Sequence, residues 1–403
     1  MGHAVIPTLA LGILAAFLVG LALARFGVPV LIAYLLAGMA VGPHTPGFVA
    51  DAAIAAELAE IGIMLLMFGV GLHFSLKDLR RVWRIAVPGA LLQILVATLL
   101  GLWMSRAWGW SLGAGLIFGL CLSCASTVVL LRCLGDHGLE DHPDGHVAIG
   151  WLLVEDLVCV AVLLILPTLS RIHGTGSGFP WREALLALGW LVLKMSLLVG
   201  LILFAGTRGV RWLLHQVVRA DSRELFTLAL VSVSVGFAYL AASWFQVSYA
   251  LGAFLAGILL NGQSISHRIR HDIQPLQDIF TVLFFISVGM LFDPAVLVRR
   301  PAAVLLTTAI IVVGKSVAAF LLVRLMRRGA ETALTVSVSL AQIGEFSFIL
   351  AALGTRTALL PAEGQQLILA GAMVSIALNP FLFRRLVARR AQPVPASASA
   401  PPA

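Results

Sequence analysis

Halfway along the apolar run from Val147 to Leu166, which is long enough to span a bilayer, stand two adjacent carboxylates, Glu155 and Asp156. On insertion scales a carboxylate at the centre of a membrane helix costs roughly 3 kcal/mol, and two neighbours cost more because they repel. A chain that keeps such a pair must enclose it in a bundle. There an intramembrane acid binds a cation, carries a proton or pairs with a buried base. At consecutive helical positions the two side chains diverge by about 100°, so they face a shared cavity without chelating like a dyad.

The rest of the chain agrees with a bilayer setting. Hydrophobic residues make up 60% of it and charged residues 11%, and the mean hydropathy is +1.01, far outside the soluble range. This is the composition of an all-α polytopic membrane protein. The first apolar run, Val5 to Ala24, lacks a basic leader and a small-residue cleavage site and is read as a retained span. The four cysteines lie in or beside apolar segments, and Cys121 and Cys124 are read as small helix-packing residues rather than metal ligands. The net charge of +8 does not argue for a nucleic-acid partner, because the arginines cluster between apolar runs.

Thirteen spans are expected, at about 5–24, 28–42, 57–74, 84–104, 112–134, 146–168, 184–206, 224–243, 247–261, 278–292, 302–323, 332–354 and 365–383. An odd number separates the termini. With the amino terminus outside, 19 basic residues fall in cytosolic segments and six outside, so the positive-inside rule selects that orientation in the cell's inner membrane.

Of the 27 basic residues only Lys194 and Lys315 remain, both within spans. Asp156 lies about 15 Å from the cytosolic start of its helix and Lys315 about 14 Å from the cytosolic end of the eleventh span, at 1.5 Å per residue. An ion pair of Lys315 with Glu155 or Asp156 is therefore expected, since an unpaired buried charge is costly. Lys194 has no evident partner and is given a structural role.

The chain also repeats itself. Leu36-Ala37-Gly38 recurs as Leu255-Ala256-Gly257, and Glu60-Ile61, Leu65, Val70-Gly71 and Phe74 recur 218 residues later as Asp278-Ile279, Leu283, Val288-Gly289 and Phe292. The offset spans seven helices, and an odd shift reverses direction, so the halves are expected to be inverted-topology repeats. The same offset sets Ser123 to Thr127 against Ala341 to Glu345. Both clusters interrupt apolar runs with small or polar residues, and both are expected to break their helices, with Gln342 and Gly344 at the second break. Broken helices at matching positions of inverted repeats are where free backbone groups and half-helix ends meet charge.

Gly27-Val28-Pro29, Tyr34 to Gly38, Gly42-Pro43, Ser126-Thr127, the acid pair, Phe284-Phe285 with Val288-Gly289-Met290, and Gln342-Ile343-Gly344-Glu345-Phe346 together resemble the cation:proton antiporter-2 family, particularly its Kef-type members. The resemblance covers about residues 5 to 385. It implies a core in which two broken helices cross near the midplane, a separate dimerisation bundle and elevator-like alternating access, within an exchanger domain over 1–390 followed by a disordered Pro/Ala tail over 391–403. By match of position Asp156 would bind cation and proton in competition, Glu155 would be the preceding acid, Lys315 its basic partner, and Ser126 and Thr127 would supply oxygen at the crossing. Glu345 would balance half-helix dipoles or Lys315, or hold a second proton. Many Kef-type chains have Gln where this one has Glu155, and they usually continue into a nucleotide-binding domain where this one has the Pro/Ala/Ser-rich stretch Gln392 to Ala403.

A carboxylate in a water-reached cavity of low dielectric holds either a proton or a monovalent cation, potassium or sodium, and if it must hold one of them to cross, exchange is obligatory. No cofactor is implied beyond the transported ion and proton, and no metal beyond that ion. The expected partners are membrane lipid, a second copy of the chain and a separate regulatory subunit. A proton-gated or ligand-gated cation efflux channel would use the same acids, and a sodium-coupled organic solute symporter shares the repeat plan but has no need of a buried lysine opposite an acid pair. Nothing in the spans forms a nucleophile-base or metal-ligand set, so the chain is not read as an enzyme. The acidic, His-rich loop from Asp136 to His146 is read as a solvated turn, and Asn379-Pro380 as a kink.

Overall fold

The computed structural model describes residues 5–26, 28–45, 52–73, 76–139, 142–173, 207–220, 222–245, 249–261 and 266–388, with scattered positions between 186 and 204. Most of the seventh expected span, 184–206, and the tail, 391–403, lie outside the described residues. Among the described residues every regular element is helical. Seven helices among the described residues are long and apolar enough to cross a membrane, and four shorter apolar ones accompany them. The protein is a multi-pass membrane protein.

In chain order the helices are α1 (Val5–Ala24), α2 (Val30–Val41), α3 (Ala52–His73), α4 (Leu76–Ala107), α5 (Leu112–Ser123), α6 (Thr127–Gly135) and α7 (Pro143–His173). They continue as α8 (Thr207–Arg219), α9 (Arg223–Phe245), α10 (Tyr249–Asn261), α11 (Ser266–Met290), α12 (Ala295–Arg299), α13 (Pro301–Ala309) and α14 (Lys315–Leu325). The last are α15 (Ala330–Ser339), α16 (Glu345–Arg356) and α17 (Ala362–Phe383). One π-helical turn, Ile310–Gly314, joins α13 to α14 into a single rod. α8, with Arg208, Arg211 and Arg219 beside exposed Trp212 and buried Leu214, has the make-up of an interfacial helix and was not among the expected spans.

Two groups of helices pack among themselves. In one, α3 packs on α10 and α11, α2 on α1 and α11, and α9 on α10. In the other, α4 packs on α5, α7 and α14, α15 on α7 and α14, and α16 on α5 and α17. Glycine makes the first group tight. A Cβ on Gly38 would run into the Ile286 carbonyl and one on Gly289 into the Leu35 carbonyl, so α2 and α11 touch backbone to backbone. α3 and α10 do the same, Gly71 against the Phe254 carbonyl and Gly257 against the Phe68 carbonyl. Each contact at one crossing has a counterpart at the other, displaced by 218 or 219 residues, so the sequence repeat recurs in the packing.

In the second group two expected spans are interrupted partway along their length. The run 112–134 is split into α5 and α6, with Cys124 and Ser126 in extended conformation between them. The run 332–354 is split into α15 and α16, with Gly344 extended between them. Ser126 serves as N-cap of α6, its Oγ accepting from the Val129 N–H at 3.4 Å.

α17 runs through Pro380 to Phe383. The Asn379 side chain is fully buried: Nδ2 donates to the Val338 carbonyl at 2.7 Å and Oδ1 accepts from Cys133 Sγ at 3.3 Å, tying α15 to α6. The His-rich loop is anchored more firmly than a solvated turn. The His137 ring lies 2.8 Å from the Cys133 carbonyl and against Phe383, and Asp144 accepts from Thr332 Oγ1 at 2.5 Å.

Candidate functional site

The two interruptions meet each other. A Cβ on Gly344 would overlap the Ser126 backbone, so the chains cross where only hydrogen separates them. The Ser126 N–H donates to Gln342 Oε1 at 2.9 Å, and Gln342 Nε2 donates back to the Ser126 carbonyl at 3.1 Å. The Gly344 N–H and Ser347 Oγ both donate to the Cys124 carbonyl, each at 3.3 Å. These bonds satisfy backbone groups that the broken helices leave without a partner, where lipid offers none.

The acids gather at this crossing. Glu155 Oε2 accepts from the Ala125 N–H at 2.8 Å, a donor freed by the interruption before α6. Asp156 Oδ2 accepts from Thr127 Oγ1 at 3.2 Å, and Glu345 Oε2 accepts from Ser126 Oγ at 3.0 Å. Glu155, Asp156 and Glu345 are each at most 1% exposed. Among the described residues Asp156 Oδ1 and Glu345 Oε1 have no hydrogen-bond partner, an expensive state for a buried carboxylate oxygen. The positive ends of α6 and α16 point at these acids, which is the favourable sense of the helix dipole.

Lys315 is fully buried and enters from the opposite side. Its Nζ donates to the Gln342 carbonyl at 3.2 Å, so the ammonium meets the carbonyl end of the interrupted α15–α16 segment. The expected ion pair is present only across space. Lys315 feels the charge of Glu155, yet among the described residues no ion-pair contact joins it to an acid. Its hydrogen bond goes to the Gln342 carbonyl instead. Asp156 faces two like charges, Glu345 and Glu155. Three buried carboxyl groups and one buried amine therefore share the crossing.

All eight residues singled out in the sequence, Ser126, Thr127, Glu155, Asp156, Lys315, Gln342, Gly344 and Glu345, fall in this cluster. Two features went unread. Cys124 and Cys159 are joined in a disulfide between the end of α5 and α7, correcting the reading of the cysteines as packing residues alone. At the interruption the Cys124 backbone is extended, which turns its side chain out of the helix toward α7. Gln93 on α4 donates from Nε2 to the Ser123 carbonyl at 3.4 Å and closes the crossing from behind. A lone amide in an apolar span was the available signal for it. Lys194 lies outside the cluster, its Nζ 5.8 Å from the centre of the Trp190 ring.

Residues 13–389 match the model of the family described as sodium/hydrogen exchanger, transmembrane. The chain is 53% identical over 389 residues to a protein of Escherichia coli K12 named putative cation/proton antiporter YbaL, a match covering 96% of this chain and 69% of that one. It is 29% identical over 371 residues to K(+) efflux antiporter 4 of Arabidopsis thaliana, covering 92% of this chain and 62% of the relative. Among solved structures the fold is similar to the sodium proton antiporter MjNhaP1 of Methanocaldococcus jannaschii at pH 8, with a TM-score of 0.71 at 15% identity, covering 95% of this chain and 98% of that one.

Proposed function

The chain belongs to the sodium/hydrogen exchanger family and is a transporter rather than an enzyme, and on that premise we propose that it exchanges protons for a monovalent cation, potassium or sodium, by alternating access at the crossing of its two broken helices. The observation that carries this reading is Asp156: buried, held through Oδ2 by Thr127, and with Oδ1 lacking a hydrogen-bond partner among the described residues. A proton or a cation answers the same electrical need there, and each excludes the other. Competition at one acid gives exchange rather than leak, provided the empty acid cannot cross.

Glu155 is the companion acid whose charge Lys315 balances, and Lys315 releases that compensation as the cation arrives. Glu345, hydrogen-bonded to Ser126 and facing Asp156, carries a second proton. Ser126 and Thr127 offer oxygen to the ion beside Asp156. The helices that bring these residues together form the moving core, and the glycine-packed group forms the scaffold. The recurrence of the same glycine crossings at an offset of seven spans supports inverted repeats, the plan by which one site is reached from either face. The arginine distribution supports an amino terminus outside and a carboxyl terminus in the cytosol, in the inner membrane. The outer face of α1, with Leu14, Phe17, Leu18 and Leu21 all exposed, is where lipid or the second scaffold of a homodimer packs.

The test is dequenching of a pH-sensitive dye in acidified inverted vesicles on addition of potassium, sodium, lithium or an organic anion, repeated with an imposed membrane potential. Saturable, cation-dependent collapse of the proton gradient supports the reading. Gradient collapse only with the organic anion, or cation flux that never saturates, overturns it.

A further inference from the structure

α4 and α7 pack side by side, and one tryptophan fills part of the seam between them. Gly89 on α4 has no side chain where Trp151 of α7 comes in: a Cβ there would overlap Cε3, Cζ3 and Cη2 of the ring. Trp151 is fully buried, and so is Glu155 one turn further along the same helix. Residues four apart on a helix are neighbours on one face, so the seat of the indole also determines what stands beside the Glu155 carboxyl.

The edge of the indole seated on Gly89 is the one opposite its N–H. That N–H, the one polar group of the side chain, is turned to Glu155 in a contact looser than a full hydrogen bond, and among the described residues no other acceptor takes it. A buried indole N–H ordinarily finds a partner, because leaving it unpaired is costly. The other side of the carboxyl is already engaged, with Oε2 accepting from the Ala125 N–H at 2.8 Å. One turn after Gly89 on α4, buried Gln93 donates to the Ser123 carbonyl at 3.4 Å. The face of α4 that seats the ring therefore also holds the interruption that carries Ala125, and Glu155 stands in a closed frame of α4, α7 and the first interruption. Asp156 beside it is held on Oδ2 alone.

We propose that Trp151 is a positioning residue of the exchange site: seated on Gly89, it holds the Glu155 carboxyl away from Lys315 and beside Asp156. Resting on the exchange reading above, this adds the side chain that sets the charge around the acid at which proton and cation compete. Asp156 feels the charges of Glu345 and Glu155, and both add to its pull on a cation. The Lys315 ammonium has three N–H donors and gives one to the Gln342 carbonyl, so it has donors to spare for a carboxylate that comes within reach. Released from the indole, Glu155 turns to that ammonium. The ion pair then takes the Glu155 charge out of the field at Asp156, and the cation is held less tightly.

The experiment measures cation KM and maximal rate in inverted vesicles, with potassium and with sodium. It compares the wild type, Trp151→Phe, and a protein carrying benzothienylalanine at position 151, which keeps the bicyclic ring and has sulfur in place of the N–H. Both changes should raise KM about tenfold, the weight of one hydrogen bond to a charged group, with the maximal rate within about twofold of wild type. In the Glu155→Gln background, where the acceptor is neutral, the same changes should raise KM about threefold or less. Benzothienylalanine has the shape of tryptophan, so this arm remains readable even if the smaller phenylalanine leaves the protein unfolded. The proposal is overturned if benzothienylalanine leaves KM at the wild-type value, because the ring alone then suffices. It is equally overturned if the factor is the same in both backgrounds, because Trp151 then does not act through Glu155. If the wild-type chain shows no cation/proton exchange, it is the transport reading that fails. The contact is then tested by the indole N–H resonance of Trp151 in protein labelled with 15N-tryptophan, which Glu155→Gln should move and which, unmoved, would sink the proposal as well.

Discussion

Ser126 and Gln342, on different broken helices and 216 positions apart, exchange two hydrogen bonds, one in each direction, as neighbouring strands do. A side-chain amide on the second interrupted segment thus serves the backbone of Ser126 at the first. This bond pair fixes the distance between the α6 and α16 ends and so the frame in which Asp156, Glu155 and Glu345 are placed.

Gln342→Ala leaves the Ser126 N–H unpaired in a fully buried place, at a cost of about 1–3 kcal/mol, while the Ser126 carbonyl keeps the Leu130 N–H at 3.1 Å. Thermal unfolding in detergent, followed by intrinsic fluorescence, should move down by several degrees. An unchanged Tm would mean that the crossing is held by something else.

Asp156→Asn removes the charge for which proton and cation compete while keeping the side chain's shape. Exchange in vesicles should fall to background, with expression and oligomeric state unaltered. Robust proton-coupled cation flux from this variant would refute the role given to Asp156.

Thr127→Val deletes the hydroxyl that holds Asp156 Oδ2 at 3.2 Å, whereas Thr127→Ser keeps it. The valine variant should show a cation KM raised about tenfold, in line with a hydrogen bond to a charged group, and the serine variant should stay near wild type. Equal behaviour of the two would show that the methyl, not the hydroxyl, matters.

Lys315→Gln takes the single ammonium from a cluster of three acids. The proton then competes better with the cation, and the activity profile should move to higher pH with the maximal rate less affected. Total loss of folded protein would instead mark Lys315 as a structural bridge, held by its bond to the Gln342 carbonyl at 3.2 Å.

Seven of the expected spans were readable because hydrophobic length is a strong signal, and the interruptions because Ser123 to Thr127 and Ala341 to Glu345 place small or polar residues inside apolar runs. The acid pair and Lys315 were readable from their cost alone. What could not be read was pairing. Depth puts Lys315 level with the acids but does not reveal that its ammonium bonds to the Gln342 carbonyl, since that depends on how α14 is rotated. Cys124 reads as a helix-packing residue until the helix ends under it. Asn379 before Pro380 reads as a backbone kink, because its two side-chain partners, Cys133 and Val338, come from distant parts of the chain.

At the two glycine crossings, Gly38 with Gly289 and Gly71 with Gly257, no layer of side chains lies between the rods, and so nothing there can slide or repack. α2, α3, α10 and α11 behave as a stiff abutment. Any change of shape is pushed onto the charged and softer margin facing it, and a single methyl added at one of these four positions would pry the abutment apart without coming near the ion.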